Sequence, residues 1–184
     1  ATTYYNAFDP EVDVISRLKN PMSTEDKKIR GMDYSFGCNK FFAKKVAMNQ
    51  DIFLFNSFTA PDLYDALYNA ADQLFEELYK KYEEDNTFVK KYVSAREVAL
   101  TTLNEAYETG RSYLHWTDEM NRHTPFKETI YSSNLCAEIA LPTKGYESTA
   151  SLYSEEDHGK GEVALCSLGG INIPNVDSDD QYYE

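Results

Sequence analysis

Ser133-Asn134-Leu135-Cys136-Ala137-Glu138-Ile139-Ala140-Leu141-Pro142-Thr143 is the stretch on which the reading of this chain turns. An amide stands two residues before a cysteine, and a carboxylate stands two residues after it. In an extended segment, positions i−2, i and i+2 point to one side, so Asn134, Cys136 and Glu138 would face one ligand together. That grouping joins a hydrogen-bonding amide, a sulfur and a base. By spacing alone a buried, inert Cys136 is the ordinary alternative, because free cysteine is among the most buried residue types. Cys166, flanked by Leu165 and Leu168, is open to the same plain core reading. Cys38 has no partner pattern and reads as structural. Three cysteines is an odd count without close pairs, which argues against a disulfide framework and for reduced thiols with separate jobs.

Around this stretch the composition sets limits. At 184 residues the chain is one domain or a piece of a larger one, long enough to bury a core. Hydrophobic residues at 42%, with 15 Tyr and 10 Phe, are too rich in core formers for a disordered chain. Lys plus Arg 18 against Asp plus Glu 31 leaves a net charge of −13. A binder of polymeric nucleic acid needs a basic face, so that class is excluded. A mononucleotide pocket is not, because a few local donors can hold one diphosphate. No apolar run approaches the ~20 residues that span a bilayer, and no basic segment precedes an apolar stretch. Those features and the acidic surface point to a cytoplasmic protein without a membrane partner. The first residue is not Met, so either the Met was removed or the chain was cut from something longer.

Ala1 to Pro10 is aromatic and extended in character. Residues 11–50 mix apolar and basic positions; Pro21 breaks any helix there, and a helix is predicted from near Tyr34 to Met48. Ile52-Phe53-Leu54-Phe55 reads as a short buried strand or turn. Thr59 and Asp62 predict a capping box around Pro61. Behind it Leu63, Leu67, Ala70, Ala71, Leu74, Leu78 and Tyr82 predict one long amphipathic helix. A second is predicted from Asp85 or Asn86, with Val89, Val93, Leu100, Leu103 and Tyr107 on its core side and Gly110 ending it. The exposed Glu and Lys residues of both helices read as solvated faces.

Ser112 to Trp116 then reads as a strand, followed by a turn-rich stretch through Asn121, His123 and Pro125. Cys136 to Leu141 is short and mixed, ending at Pro142. Residues 143–161 are polar and Gly/Ser-rich, a surface loop. Glu162 to Leu168 is predicted as a strand that Gly169 and Gly170 stop, and the tail from Val176 is acidic.

Other chemistry is weakly signalled. There is no G-x-G-x-x-G, no G-x-x-x-x-G-K-[ST] and no nucleophile elbow. His115, Glu119 and His123 stand at i, i+4 and i+8, a ligand stripe if they shared a helix. Asn121 and Pro125 interrupt that helix, so no metal site is predicted.

The stretch from Ser133 to Thr143 resembles the active-site finger loop of the large, catalytic subunit of class I ribonucleotide reductase. Gly110-Arg111-Ser112-Tyr113, followed by Asp118, Asn121, His123, Thr124, Pro125 and Phe126, resembles the family segment before that loop. Gly161-Glu162-Val163-Ala164-Leu165-Cys166-Ser167-Leu168, then Ile171-Asn172, resembles the strand after it. Met32-Asp33-Tyr34, Asn39-Lys40, Asp51-Ile52 with Leu54-Phe55, and Leu63-Tyr64-Asp65-Ala66 follow the family in the same order. The likeness runs from Ala1 to about Asn172. Departures are Cys38, the insert-like stretch 144–160 and the acidic tail after Pro174.

The resemblance implies an α/β fold, the middle of a ten-stranded α/β barrel with the finger loop at its centre. Residues 1–175 would form a partial catalytic barrel domain and 176–184 an acidic tail. It implies that Cys136 bears a transient thiyl radical that abstracts the 3′ hydrogen of a ribonucleotide. Glu138 would take the 3′-hydroxyl proton as the 2′ hydroxyl leaves as water. Asn134 would hydrogen-bond the sugar, and Cys166 would be one of two reducing thiols. No cofactor would be bound by the chain itself. The radical would come from a metal-containing small subunit, and thioredoxin or glutaredoxin would restore the thiols. Implied partners are the remaining part of the large subunit, the small subunit, a ribonucleoside diphosphate substrate and a nucleoside triphosphate effector. The second reducing thiol is expected upstream of Ala1, where the effector loop would also end. The phosphate-binding segment, the radical-passing tyrosines and the recharging thiols are expected downstream. Two alternatives stay open: a non-catalytic relic or assembly module of the same fold, and a generic thiol redox protein pairing Cys136 with Cys166.

Overall fold

The first strand forms where β-branched and aromatic residues follow one another: Thr2–Asn6 (β1), as the extended reading of the start expects. The computed structural model describes residues 1–20, 29, 31–69, 71–167 and 169–170. β1 pairs in parallel with Asp33–Cys38 (β2), and β2 pairs in parallel with Ser112–Trp116 (β5), giving the order β1-β2-β5. Parallel neighbours need long crossovers. The first carries Val12–Ile15 (α1); the second carries Lys40–Ala47 (α2), Pro61–Ala66 (α3), Asp72–Glu84 (α4) and Ala95–Thr109 (α5). Within the second lies an antiparallel ribbon of Asp51–Phe53 (β3) and Tyr92–Ser94 (β4). Thr117–Arg122 (α6) follows β5 directly. The result is an α/β arrangement of parallel strands and covering helices; the described residues supply part of a barrel wall and not a closed barrel.

Register assigns the faces of the sheet, since side chains alternate along each strand. Tyr5, Phe36 and Leu114 align on one face. Tyr4 aligns with Ser35 and Asn6 with Gly37 on the other, where Gly37 in turn meets His115. The first face is the helix side. There Tyr5, Tyr34, Phe36 and Cys38 are buried together with Phe8 and Phe42. Ring pairs knit this core: Tyr5 with Phe36 at 5.6 Å and Phe36 with Phe42 at 5.7 Å, both edge-on. Phe53 and Tyr79 stack at 4.1 Å, and the Tyr79 hydroxyl accepts the Phe53 N–H at 2.6 Å.

The predicted strand at Ser112–Trp116 forms, β3 forms at Asp51–Phe53, and Gly110 ends α5 in the left-handed conformation with φ 62°. Several expectations are corrected. The helix placed from Tyr34 to Met48 is β2 followed by α2. β2 is buried along its whole length, and its polar or small Asp33, Ser35 and Gly37 alternate with apolar Tyr34, Phe36 and Cys38, a strand period that the helical reading overrides. Asn39 starts the helix instead, its side chain accepting the Phe42 N–H at 2.9 Å.

The single helix placed over 61–82 is two helices. The break falls where Asn69 Oδ1 accepts the Ala71 N–H at 2.8 Å and Thr117 Oγ1 donates to the Leu67 carbonyl at 2.7 Å, local bonds that compete with helical ones. The capping box does not form: Ala60 is the N-cap of α3. Thr59 Oγ1 accepts from the Asn56 N–H, while Asp62 takes the Leu63 N–H and the Tyr82 hydroxyl.

The second predicted helix starts at Ala95 instead of Asp85. Asp85 Oδ1 ties up the Thr87 N–H and hydroxyl in a turn, and Ser94 caps α5 through the Glu97 N–H at 3.3 Å. Its buried positions are Ala95, Val98, Thr102 and Glu105. Val89 is exposed, Val93 lies in β4, and the predicted inner residues Leu100, Leu103 and Tyr107 are exposed. Finally, the strand placed over 162–168 is a single bridge between Lys144 and Glu162, with Leu165 81% exposed. A strand needs a partner, and among the described residues none lies beside 163–167. The loop 143–161 is a surface segment as expected, with one turn of 3-10 helix at Ser151–Tyr153 and another at Glu155–Asp157. Pro21, Ala70, Leu168, Ile171, Asn172 and the acidic tail 176–184 lie outside the described residues.

Candidate active site

The second face of the sheet carries the stretch from Ser133 to Thr143. Two side chains of β1 on this face reach it: Thr2 Oγ1 donates to the Leu135 carbonyl at 2.5 Å, and the Tyr4 hydroxyl donates to the Asn134 carbonyl at 2.6 Å. The stretch is a tight turn and not the extended segment predicted. The Asn134 N–H donates to Ile139 O at 3.2 Å, and the Ala137 N–H to Asn134 O at 3.1 Å. Ala137 sits at φ 63°, a left-handed conformation that costs an L residue about 1–2 kcal/mol.

Asn134 holds that strained turn from inside. Its Oδ1 accepts the N–H groups of Glu138 at 3.1 Å and Ile139 at 3.0 Å, while Ser133 Oγ donates to Ile139 O at 2.5 Å. The carbonyl end of the amide is thereby spent on the turn, and its NH2 end is the one left to meet a ligand.

Asn134 and Cys166 are brought to one cavity of about 160 Å³, with Ser132, Ser133, Ile139, Leu141, Thr143, Ala164 and Leu165. Cys136 and Glu138 lie outside that lining, exposed on the turn beside it. No disulfide joins cysteines among the described residues. Cys38 is different in kind: burial pushes its thiol up to about 12, with the Asp118 charge adding to the shift, so it stays protonated and inert.

Residues leading into the turn are scaffold. The Asp118 carboxylate accepts the Lys40 N–H at 2.8 Å, joining α6 to the start of α2. Asn121 donates to Thr117 O and Ile130 O and accepts the Ile130 N–H at 2.8 Å, which pins the turn before the loop. The His115–Glu119–His123 stripe does not exist as a stripe. His115 lies on β5 beside Ser35, whereas His123 ends α6 and bonds Glu119 at 3.0 Å. Among the described residues no three metal-ligating side chains cluster, and no helix is long and apolar enough to cross a membrane. Sequence reading missed Thr2, Tyr4 and Ser133 as the anchors of the turn. Their signal is the polar, every-other position of Thr2 and Tyr4 along β1.

Comparison with known proteins agrees along the whole length. Residues 1–184 match the sequence model of the family described as the ribonucleotide reductase barrel domain. The ribonucleoside-diphosphate reductase subunit alpha of Haemophilus influenzae is 37% identical over 97% of this chain and 23% of its own length. That of Enterobacteria phage T4 is 34% identical over 98% of this chain and 23% of its own. The reductase 1 subunit alpha of Escherichia coli K12 is 40% identical over 78% of this chain and 19% of its own. The chain thus spans under a quarter of the length of these curated relatives. With its parallel strands, its covering helices and a turn carrying Asn134, Cys136 and Glu138 tied to the sheet, the chain belongs to the ribonucleotide reductase barrel-domain family.

Proposed function

We propose that this chain is the finger-loop portion of the catalytic subunit of a ribonucleoside-diphosphate reductase. It works with further segments or chains, in the cytoplasm. The observation that carries this reading is the turn itself: an amide, a thiol and a carboxylate held within five residues, with Cys166 on the cavity beside them.

Cys136, as a thiyl radical, takes the 3′ hydrogen from the sugar of a ribonucleoside diphosphate. Glu138 accepts the 3′-hydroxyl proton, and the 2′ hydroxyl leaves as water. Asn134 donates its NH2 to the sugar from a position fixed by its own turn. Cys166 and a second thiol, from outside this chain, supply two electrons and end as a disulfide, and Cys136 returns the hydrogen to C3′. Net, one ribonucleotide and two thiols become one deoxyribonucleotide, one water and one disulfide. A metal-containing small subunit supplies the radical, thioredoxin or glutaredoxin re-reduces the disulfide by exchange, and a nucleoside triphosphate acts as effector.

The test is a turnover without external reductant, in the whole protein with its partner chains. One deoxynucleotide is expected per site, with Cys166 oxidised in a mixed pair to a cysteine outside this chain and Cys136 recovered as a thiol. A Cys136–Cys166 disulfide formed without nucleotide would instead mark a general thiol redox protein and overturn the proposal.

A further inference from the structure

The polar face that holds the turn continues across the sheet behind it. Ser35 Oγ and His115 Nδ1 lie 3.0 Å apart, joining β2 to β5. The His115 ring meets the Tyr4 ring edge-on, with centroids 5.3 Å apart and planes at 71°. Gly37 makes this possible: a Cβ there would lie 2.8 Å from His115 Nε2 and 3.1 Å from Thr117 Cγ2. The Tyr4 hydroxyl then reaches Asn134 O, the same oxygen that accepts the Ala137 N–H and closes the turn.

We infer that Ser35, His115 and Tyr4 form a positioning relay that fixes the Cys136 turn against the barrel wall, with Tyr4 as the residue that makes the contact. This rests on the reading of Cys136 given above. Three adjacent parallel strands each contribute one member, so the turn is referenced to the hydrogen-bonded sheet and not to its own loop alone. Burial lowers the His115 imidazole to about 4, so it is neutral at working pH and packs on the phenol as an uncharged ring. Tyr4 is a positioning residue: it touches the turn's backbone and leaves the reacting groups to act.

The test uses the whole protein with its partner chains. Tyr4→Phe keeps the ring and removes only the hydroxyl. Its kcat for nucleotide reduction is expected to fall about tenfold with KM unchanged within about twofold, because sulfur placement and not substrate contact is lost. Alkylation of Cys136 by iodoacetamide, followed by peptide mass spectrometry, is expected to quicken about threefold or more as the turn loosens, with the Cys166 rate held within about twofold. His115→Ala, which removes the ring behind Tyr4, is expected to move kcat and Cys136 alkylation in the same directions. A Tyr4→Phe protein with unaltered kcat, or with KM raised in place of kcat, overturns the relay. Cys136→Ser run alongside separates the two levels. If it still reduces nucleotide, the reading of Cys136 fails and the relay with it. If it is inactive while Tyr4→Phe turns over normally, only the relay fails.

Discussion

At the scale of single residues, environment divides groups that the sequence presents alike. Three cysteines are chemically equal on paper, yet Cys38 is buried with a raised pKa while Cys136 and Cys166 are exposed. Iodoacetamide is therefore expected to label Cys136 and Cys166 in the native protein, and Cys38 only after denaturation; prompt labelling of Cys38 would contradict its placement. His115 gives a pH signature. Its pKa is about 4 in the fold against an ordinary 6.5, so the unfolded chain binds the proton first as pH falls. Stability is present above pH 6.5 and is lost as pH drops toward 4, by an amount on the order of 3 kcal/mol. Urea midpoints measured at pH 7 and pH 4.5 are expected to differ less in His115→Gln than in the unaltered protein. The spacing of Asn134, Cys136 and Glu138 made them legible as a group. The bond that Asn134 makes to its own turn was not, because an extended and a turned segment share that spacing.

At the scale of elements, the aromatic core and the helix ends decide stability. Tyr79 both stacks on Phe53 and accepts its buried N–H. Tyr79→Phe keeps the stack and orphans that donor, an expected loss of about 1–3 kcal/mol, whereas Tyr79→Ala is expected to cost about 3–5 kcal/mol. Chemical denaturation of both variants checks the order; a Tyr79→Phe protein as stable as the unaltered one would show that the hydroxyl contributes nothing, and equal losses that the ring adds nothing beyond it. Gly110 has open space around it, so Gly110→Ala meets only backbone strain at φ 62°, about 1–2 kcal/mol. Gly110 and β5 were legible because left-handed ends and short β-branched or aromatic runs are local signals. β2 was not, although Asp33 to Cys38 alternates polar or small with apolar residues, because only Asn39 separates it from the amphipathic α2 and the two read as one helix. Nor was the split between α3 and α4, which depends on Thr117, about fifty residues away in sequence.

At the scale of the whole molecule, the described fold leaves surfaces that ask for company. β1 and β5 each pair on one side only, and Leu100, Leu103 and Tyr107 of α5 are exposed together. Unpaired edges and an apolar face favour association. The 184 residues expressed alone are expected to self-associate with rising concentration in light scattering; a stable species of 21.1 kDa at all concentrations would contradict this. The matched relatives are about four times longer than this chain. The central claim is that Cys136 carries the radical step, and the most direct measurement is nucleotide reduction by Cys136→Ser in the whole protein with its partner chains. Loss of deoxynucleotide formation by at least about a thousandfold, with nucleotide binding retained, is the expected result. Turnover within about tenfold of the unaltered protein would contradict the claim, since a serine hydroxyl cannot replace a thiyl radical.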